Sequence, residues 1–595
     1  MSSATKHYFQ SQDGLVAAAL RGVASLNPNH RVIEDDKILF NGTHDRKKVA
    51  VVSGGGSGHE PSHAGYVGKG MLAAAVCGDV FASPSTKQIT TACNEVPSDE
   101  GYVFVVTNYT GDMLHFGLAA NLINASDSKA RAGIIKSADD VSVGREHGGL
   151  VGRRGLSGTM ILNKILGGAA EAGVNFDGVM KLGTALAENI VTINAGLDHC
   201  HVPGRGKDYG QLGDKQCEIG LGIHNEPGVK MLEEIPPAAD LVDRMLTLLL
   251  DPNDKDRAFV SFDSKKDKVA MLINNLGGVS ILEQFGLTDV ARQQLEKKYG
   301  IVPSRVYSGH FMTSLNAPIF AITLVNISGT ARDAGISEDE VIKHLDAPTD
   351  ACAWPQNHYG NVTEKIDIKK QLHTVSHKED KGPRLADLKV DPATLEKVLR
   401  AAANNVIERE PDLTEWDTKM GDGDCGKTLE AGSRALLELL DKGLAKPGSV
   451  LDVLEEILDI TELKMGGTLG AIFGIFFSAY VAAIKAKVGD NKDAPAVVLS
   501  QAAADALANL RKHTPASEGD RTVMDVLIPT VKTLSDTNDI SKAAESAHKA
   551  AEGTKHIKPK LGRATYVGGL DELSVLPPDP GAWGAYEIFR GLALD

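Results

Sequence analysis

Cysteine is scarce in this 595-residue sequence, and its few cysteines are not spaced in pairs. The six are Cys77, Cys93, Cys200, Cys217, Cys352 and Cys425, and no two of them form a CxxC motif. Domains that depend on disulfides carry many more cysteines for their length. The composition therefore argues against a disulfide scaffold, and we expect buried thiols in a reducing compartment.

Clusters of basic residues are also missing. The chain has 63 Lys and Arg against 78 Asp and Glu, a formal charge of −15, and its basic residues are scattered. Proteins that bind nucleic acids concentrate positive charge on one face. We therefore expect no nucleic-acid partner and a small-molecule ligand.

Long hydrophobic runs are lacking as well. The longest nearly uninterrupted apolar stretch, Ala471 to Ile484, is shorter than the ~20 residues that cross a bilayer and contains Gly474 and Ser478. The segment from Met1 to Phe9 has no apolar core of the kind a secretory signal needs. We expect a buried helix at 471–484, no membrane partner and a cytoplasmic location.

The chain is too long for one core, since single cores rarely exceed about 250 to 300 residues. Over roughly the first 340 residues, β-rich runs alternate with helical stretches, which is typical of α/β domains with a largely parallel or mixed sheet. The predicted strands are 49–52, 103–106, 133–136, 190–193, 269–274, 304–307 and 320–325. We divide this half into two α/β lobes, residues 1–195 and 196–360.

The composition then shifts to Lys, Asp, His, Gly and Pro, as in Ser376 to Pro383, which predicts an exposed linker at 361–391. Beyond it, apolar residues recur at the helical spacing i, i+3, i+4, i+7. The first such set is Leu395, Val398, Leu399, Ala402 and Val406. Residues 392–595 are therefore predicted to be all-α.

Three glycine-rich loops of the first half carry chemistry-bearing side chains. His59 lies in Gly54-Gly-Gly-Ser-Gly-His-Glu-Pro61 and Asp112 in Asn108-Tyr-Thr-Gly-Asp112, each directly after an apolar run. His224 lies in a glycine-punctuated strand and turn, Glu218 to Gly228. A lone histidine in such a turn is more often structural, but three polar groups at strand ends predict one site.

Residues 421–428, Gly-Asp-Gly-Asp-Cys-Gly-Lys-Thr, match the P-loop pattern GxxxxGK[ST]. A true P-loop follows a hydrophobic strand, whereas this loop holds two carboxylates that would repel a triphosphate. Asp417, Asp422 and Asp424 make sense if divalent cations lie between them and the phosphates, and Mg²⁺ prefers such ligands. The alternative is a solvated turn.

Three later segments extend the possible nucleotide pocket. They are Gly466 to Gly470, whose helix start could bind phosphate, then Gly519 to Thr522, and the pair Arg563–Tyr566 with Asp579–Ala582. Each alone is a weak signal, because glycine-rich turns are common in helical bundles.

Taken in order, GGGSGHEP, NYTGD, EIGxGIHxEPG, WDxxxGDGDCGxT and DPGA resemble the ATP-dependent dihydroxyacetone kinases, also called glycerone kinases or triokinases, along essentially the whole chain. The resemblance implies a substrate region of two α/β domains and a C-terminal barrel of antiparallel helices that holds ATP with Mg²⁺. It implies phosphorylation of dihydroxyacetone, and of glyceraldehyde as well.

The resemblance also assigns residues of the triose site. His224 resembles the histidine that adds to the ketone as a hemiaminal, so a carbonyl compound should be favoured over glycerol. Asp112 resembles the general base and His59 its acid-base or hydrogen-bonding partner. The residues implied to line the substrate are Gly56, Ser57, Gly58 and Thr107.

For the nucleotide, the resemblance makes Asp417, Asp422 and Asp424 ligands of two Mg²⁺ ions. The residues implied to contact ATP are Cys425, Gly426, Lys427, Thr428, Thr468, Leu469, Gly470, Thr522, Val523, Arg563, Asp579, Pro580 and Gly581. Leu469 stands where many relatives have serine, and Thr107 where some have lysine.

Alternatives remain open. Some eukaryotic relatives resemble a cyclising FAD-AMP lyase, and relatives of each half serve as non-catalytic regulatory or phosphate-relay proteins. His199 and His201 would share one face of a strand, but no second ligand pair lies nearby, so zinc is disfavoured. Because a linker of about 30 residues could reach on the order of 100 Å, we hypothesise a homodimer with crossed domains.

Overall fold

The computed structural model describes residues 5–126, 131–146, 151–206, 212–356, 358–359, 370–375, 387–488, 493–561, 563–566 and 575–593. The chain forms two compact units, residues 1–374 and 375–595. Of the predicted linker, residues 361–369 and 376–386 lie outside the described residues.

The N-terminal unit contains two six-stranded sheets. The first has the order β1-β2-β4-β3-β5-β6, with β1 His30–Ile33, β2 Ile38–Asn41, β3 Ala50–Ser57, β4 Ala74–Val80, β5 Tyr102–Thr107 and β6 Ala132–Ser137. Strands β4, β3, β5 and β6 are parallel, whereas β1 and β2 are antiparallel. The carboxyl ends of β3 and β5 therefore lie side by side, and the loops that carry His59 and Asp112 follow them.

The second sheet has the order β11-β10-β12-β7-β8-β9. Its strands are β7 Ile190–Gly196, β8 Cys217–Ile219, β9 Lys230–Leu232, β10 Val269–Asn275, β11 Arg305–Gly309 and β12 Ile319–Asn326. Only β10 and β11 pair in parallel among the described strands of this sheet. Strand β7 belongs to this sheet, and the predicted lobe boundary at residue 195 falls within it.

Nine helices are described in this unit. They are α1 Leu15–Ala24, α2 Thr86–Glu95, α3 Thr110–Ser126, α4 Gly158–Glu171, α5 Phe176–Glu188, α6 Ala238–Leu250, α7 Ile281–Tyr299, α8 Ile327–Ala334 and α9 Glu338–Asp346. Helix α4 is buried along nearly its whole length, since it lies in the core that the two sheets share.

Alternation along the strands builds this layered core. Val103 and Val105 of β5 face the shared core around α4, while Phe104 and Val106 face α2 and α3 on the other side. The outer face of the second sheet packs against α6 and α7. Successive strand side chains point to opposite faces, so apolar residues at consecutive positions require cover on both faces.

The C-terminal unit is all-α, as predicted. Its helices are α10 Pro392–Met420, α11 Cys425–Asp441, α12 Val450–Leu463, α13 Gly467–Lys487, α14 Pro495–Leu510, α15 Met524–Thr537, α16 Ile540–Gly553 and α17 Pro580–Leu592. Each helix packs against the next, and α17 packs against α10. The eight helices thus close into a ring around an apolar cavity of about 500 Å³.

Helix α13, which contains the apolar stretch 471–484, is only partly buried. By length and composition alone it is apolar enough to cross a bilayer. It packs between α12 and α14, and its aromatic side chains Phe473, Phe476, Phe477 and Tyr480 line the ring cavity. A helix that borders a cavity needs apolar residues there without being enclosed on every side.

The thiols follow the expectation only in part. Cys77, Cys93, Cys200 and Cys217 are buried and free. Cys425 is half-buried, and Cys352 is exposed, which corrects the expectation of uniformly buried thiols.

Candidate active site

His224 lies in the turn after β8, with its ring held by a carboxylate. Glu226 Oε2 accepts from the His224 backbone N–H at 2.9 Å, and Glu226 Oε1 lies 3.2 Å from His224 Nδ1. Asn225 between them has φ +65°, which turns the chain back so that one carboxylate reaches both groups. Burial alone would raise the pKa of Glu226, but hydrogen bonds from His224 lower it to about 2.

His59 meets His224 although 165 positions separate them in sequence. Their Nε2 atoms lie 3.1 Å apart, and the two rings cross nearly perpendicularly. His59 is buried, and its Nδ1 lies 2.8 Å from the carbonyl oxygen of Thr313. Burial, followed by the neighbouring His224, lowers the pKa of His59 to about 3.

These partners fix the protons of the two rings. The Thr313 carbonyl and the Glu226 carboxylate can only accept, so Nδ1 of His59 and Nδ1 of His224 each carry a hydrogen. The two Nε2 atoms lie close enough for a proton to pass between the rings. Burial lowers the pKa of His59, which keeps that ring neutral and its Nε2 able to accept a proton.

Asp112 lies in the first turn of helix α3, shortly after β5. Its side chain is buried, Oδ2 lies 3.4 Å from the Thr107 hydroxyl, and Oδ1 has no hydrogen-bond partner among the described residues. Burial raises the pKa of Asp112, while a hydrogen bond from Ser83 and the charge of His224 offset part of the rise. A carboxylate with a raised pKa and a free lone pair can accept a proton from a ligand hydroxyl.

The glycine loop after β3 brings backbone close to the site. A Cβ at Gly56 would lie 2.8 Å from the backbone nitrogen of Ala82, so only glycine fits there. Gly58 has φ +99°, a conformation that favours glycine. The Ser57 hydroxyl donates to the Gly78 carbonyl at 2.8 Å, so this side chain braces the loop.

In the C-terminal unit, three carboxylates converge at the turn between α10 and α11. One oxygen each from Asp417, Asp422 and Asp424 lies within 4.8 Å of the others. Asp417 Oδ2 also accepts from the Cys425 backbone N–H at 3.0 Å, which fixes its orientation. Hard carboxylate oxygens at this spacing fit Mg²⁺.

The turn before α17 lies close to these carboxylates. Asp579 caps α17 by accepting from the Ala582 N–H at 2.8 Å, and Pro580 takes the first helical position. Burial raises the pKa of Asp579 to about 6, and Asp417 contributes to the rise. Burial, then Asp579, Asp417 and Asp424, raise the pKa of the Cys425 thiol.

Leu469 at the start of α13, Val523 just before α15 and Gly581 at the start of α17 meet at this turn. A Cβ built on Gly581 would lie 3.6 Å from both Leu469 Cδ1 and Val523 Cβ. Thr468 lies in the first turn of α13, and the backbone of Arg563 lies in a short 3₁₀ turn, Arg563–Tyr566. The Thr522 N–H donates to Asp525 at 2.7 Å.

Other residues predicted to contact the nucleotide have structural partners. Gly426 lets α11 approach α10, since a Cβ there would lie 2.7 Å from the Glu410 carbonyl. Gly470 similarly contacts the backbone of Met465. The Lys427 ammonium pairs with Glu410 and Glu430 at 3.2 Å each, and Thr428 lies in the first turn of α11.

Comparisons with known proteins match both units. A model of the Dak1 domain matches residues 21–353, and a model of the DAK2 domain matches residues 419–594. Dihydroxyacetone kinase 1 of Saccharomyces cerevisiae is 41% identical over 587 residues, which is 97% of each chain.

The chain belongs to the dihydroxyacetone kinase family. The triokinase/FMN cyclase of Rattus norvegicus is 33% identical to this chain. The match covers 99% of this chain and 98% of the rat protein. Among solved structures, the dihydroxyacetone kinase from C. freundii in complex with AMP-PNP and Mg²⁺ is 28% identical, with a TM-score of 0.61 over 99% of both chains. The family resemblance seen in the motifs is thereby confirmed.

Sequence reasoning missed two residues of the candidate triose site of this family member. Glu226 follows His224 by two positions, and its role depends on the turn at Asn225. His63 is buried, with Nδ1 2.9 Å from the Ser53 hydroxyl, and its Nε2 and Asp112 Oδ2 both lie within 4 Å of where a Gly55 Cβ would be. The signal available was that each residue shares a loop with a predicted site histidine.

Proposed function

We propose that this chain transfers the γ-phosphate of ATP to dihydroxyacetone, and that it also accepts D-glyceraldehyde. The observation that carries the proposal is the His59–His224 pair beside Asp112, because it combines a nucleophile, a proton and a base in one site. Full-length relatives named dihydroxyacetone kinase support the same reaction.

In the proposed first step, the substrate ketone becomes a hemiaminal on His224. We propose that a proton is held between the two Nε2 atoms, and that it moves to His59 Nε2 as the Nε2 lone pair of His224 attacks the carbonyl carbon. The carbonyl π electrons pass to oxygen, which takes that proton from His59. The substituted imidazole is then cationic and lies opposite Glu226, whose carboxylate stabilises it.

In the proposed second step, Asp112 accepts the proton of the terminal hydroxyl as that oxygen attacks the γ-phosphorus. Its raised pKa makes it a stronger base than an ordinary carboxylate. Gly56, Gly58 and Thr107 shape the loops around the substrate.

Asp417, Asp422 and Asp424 are the residues that would hold two Mg²⁺ ions. Bound Mg²⁺ would neutralise charge on the transferring phosphoryl group. The remaining predicted nucleotide contacts are Cys425 to Thr428, Thr468 to Gly470, Thr522, Val523, Arg563 and Asp579 to Gly581. We place the protein in the cytoplasm, with ATP and a triose as its ligands.

The test is a coupled assay of ADP release with Mg-ATP and three acceptors. We expect turnover with dihydroxyacetone and glyceraldehyde, and none with glycerol, which has no carbonyl to anchor. His224→Ala should lower kcat/KM for both carbonyl compounds. Release of no ADP from any triose by the wild type would refute the kinase assignment.

A second candidate activity is cyclising cleavage of FAD to AMP and a cyclic flavin phosphate. Relatives named triokinase/FMN cyclase, aligned over nearly the full chain, favour it. Incubation of the protein with FAD and Mn²⁺, followed by chromatography of the flavins, tests it. An unchanged FAD peak would reject the activity.

A further inference from the structure

A cavity with charged residues in its lining lies in the N-terminal unit, and its lining residues are distinct from those of the triose site. It has a volume of about 550 Å³ and is formed by β6, α5 and the segments near residues 145, 153 and 259. The charged residues that line it are Lys136, Arg145, Arg153 and Glu188. Three cations face one carboxylate, so the lining carries a net positive charge.

The two arginines share an aromatic ring at one wall of the cavity. The guanidinium carbons of Arg145 and Arg153 lie over Phe259, 4.2 Å and 4.0 Å from its centre. The negative face of the ring stabilises each cation modestly. Neither guanidinium forms an ion pair with a carboxylate among the described residues, and the stacking holds the planar groups in fixed orientations.

The hydrogen bonds of the two arginines differ. Arg145 donates to the backbone carbonyls of Lys255, Asp256 and Ala258. Arg153 Nη1 is buried and has no hydrogen-bond partner among the residues that the structure describes. A buried cationic donor without an acceptor is costly, so it calls for an anion or water.

Neighbouring carboxylates do not supply that acceptor. Asp139 accepts from the backbone N–H groups of Leu156 and Gly158 and from the Thr192 hydroxyl. Asp140 is occupied by Arg154, whose Nε donates to it at 2.7 Å. Asp139 and Asp140 therefore accept hydrogen bonds from other donors.

The backbone at Arg153 is fixed from the other side. The Asn108 side-chain amide donates to the carbonyls of Val151 and Arg153, at 2.8 Å and 2.7 Å. The next residue, Arg154, donates to the Gly220 carbonyl at 2.8 Å. Arg153 thus projects from an irregular segment whose backbone is held by these hydrogen bonds, which reduces the entropy that a ligand contact would cost.

We propose that this cavity binds a small phosphate-bearing anion, held by Arg153 with Arg145 and Lys136. Guanidinium groups pair with phosphate oxygens through parallel hydrogen bonds, and Arg153 has the donor to offer. Inorganic phosphate and the phosphate group of a triose phosphate share this chemistry. None of the residues that line the cavity belongs to the triose or nucleotide sets named above.

Thermal unfolding of the full-length protein with increasing sodium phosphate tests the proposal, with sodium chloride at matched ionic strength as the reference. We expect a saturable rise of a few degrees for the wild type and loss of that rise in Arg153→Gln. Dihydroxyacetone phosphate in a parallel series distinguishes an organic ester from the free ion. A response to either ligand that depends on Arg153 supports the site.

Arg131→Gln is the matched control, because Arg131 also lies over a phenylalanine, Phe176 at 4.2 Å, but pairs with Asp177. It should keep the full phosphate response. Lys136→Gln, at an exposed position, should weaken the response even if Arg153→Gln proves too unstable to measure. Equal responses in the wild type, Arg153→Gln and Lys136→Gln would overturn the proposal.

Discussion

At the scale of single residues, the protonation of the candidate site depends on two acceptors. The Thr313 carbonyl and the Glu226 carboxylate each accept from one Nδ1, so His59 and His224 face each other through their Nε2 atoms. The neutral carbonyl cannot stabilise an imidazolium as the carboxylate does. The proposed imidazolium on His224 therefore depends on Glu226.

Glu226→Gln tests this dependence. The amide keeps the size of the side chain but loses the charge that offsets the substituted imidazolium, so we expect kcat/KM for dihydroxyacetone to fall on the order of 10²- to 10⁴-fold. Steady-state kinetics would measure the loss. As a control, Glu218→Gln alters a nearby carboxylate that accepts from the Gly228 N–H and should leave the rate within a few-fold. A wild-type rate in Glu226→Gln would show that the charge is unimportant.

The base Asp112 gives a prediction for pH dependence. It must be ionised to accept a proton, and burial raises its pKa. The rate should therefore fall as the pH is lowered, with a midpoint above the ordinary aspartate value of ~4. In Ser83→Ala, loss of the hydrogen bond that favours the carboxylate should move this midpoint to higher pH, with the plateau rate retained. A profile of kcat against pH measures both, and an unshifted midpoint would contradict the role of Ser83.

The sequence identified His224, His59 and Asp112 because each follows a recognisable strand or glycine motif. Their assigned roles remain predictions. Glu226 and His63 were missed for a geometric reason: the first depends on the positive φ of Asn225, and the second on a Ser53 hydroxyl ten positions away. Neither contact leaves a periodic pattern in the sequence.

At the scale of elements, close helix packing completes the C-terminal ring. Gly591 of α17 lies against α10, and a Cβ there would come within 2.2 Å of the Ala402 backbone nitrogen. Neither helix can make room for a Cβ without moving α17 away from α10. The contact therefore requires glycine.

Gly591→Ala should lower the free energy of unfolding of the C-terminal unit by ~1–3 kcal/mol, because overpacking forces the backbones apart. The control is Gly553→Ala at the end of α16, where a Cβ meets nothing within 4 Å. That change should stabilise by ~0.4–1 kcal/mol through the unfolded state. Calorimetry of both variants measures these changes. An unchanged free energy of unfolding in Gly591→Ala would mean that α17 does not pack so closely against α10.

Strand positions and the helical half were predictable because their apolar periods are strong, and the α/β and all-α classes are confirmed. The pairing order was not. Strands β10, β12 and β7 are neighbours although β7 precedes β10 by some 70 residues. The order of the strands depends on the helices that cover both faces of the second sheet. The sequence of a single strand does not encode it.

At the scale of the whole molecule, the two halves carry complementary chemistry. Residues 21–353 match one domain of the family and residues 419–594 the other, and the triose and metal residues lie on different units. Each half is therefore expected to be inactive without the other. We propose a homodimer in which the ATP half of one chain serves the triose half of its partner.

Mixing two inactive variants tests this arrangement. His224→Ala leaves the ATP-binding half of the chain intact. The double variant Asp417→Asn with Asp422→Asn leaves the triose-binding half intact. If the halves act across a dimer, co-refolded or subunit-exchanged equimolar mixtures should recover about a quarter of the wild-type rate, since half the dimers are mixed and each has one sound pairing. Light scattering should report two chains per particle, and each variant alone sets the baseline. A mixture no more active than its components, although exchange of subunits is demonstrated, would mean that each chain phosphorylates its own bound triose.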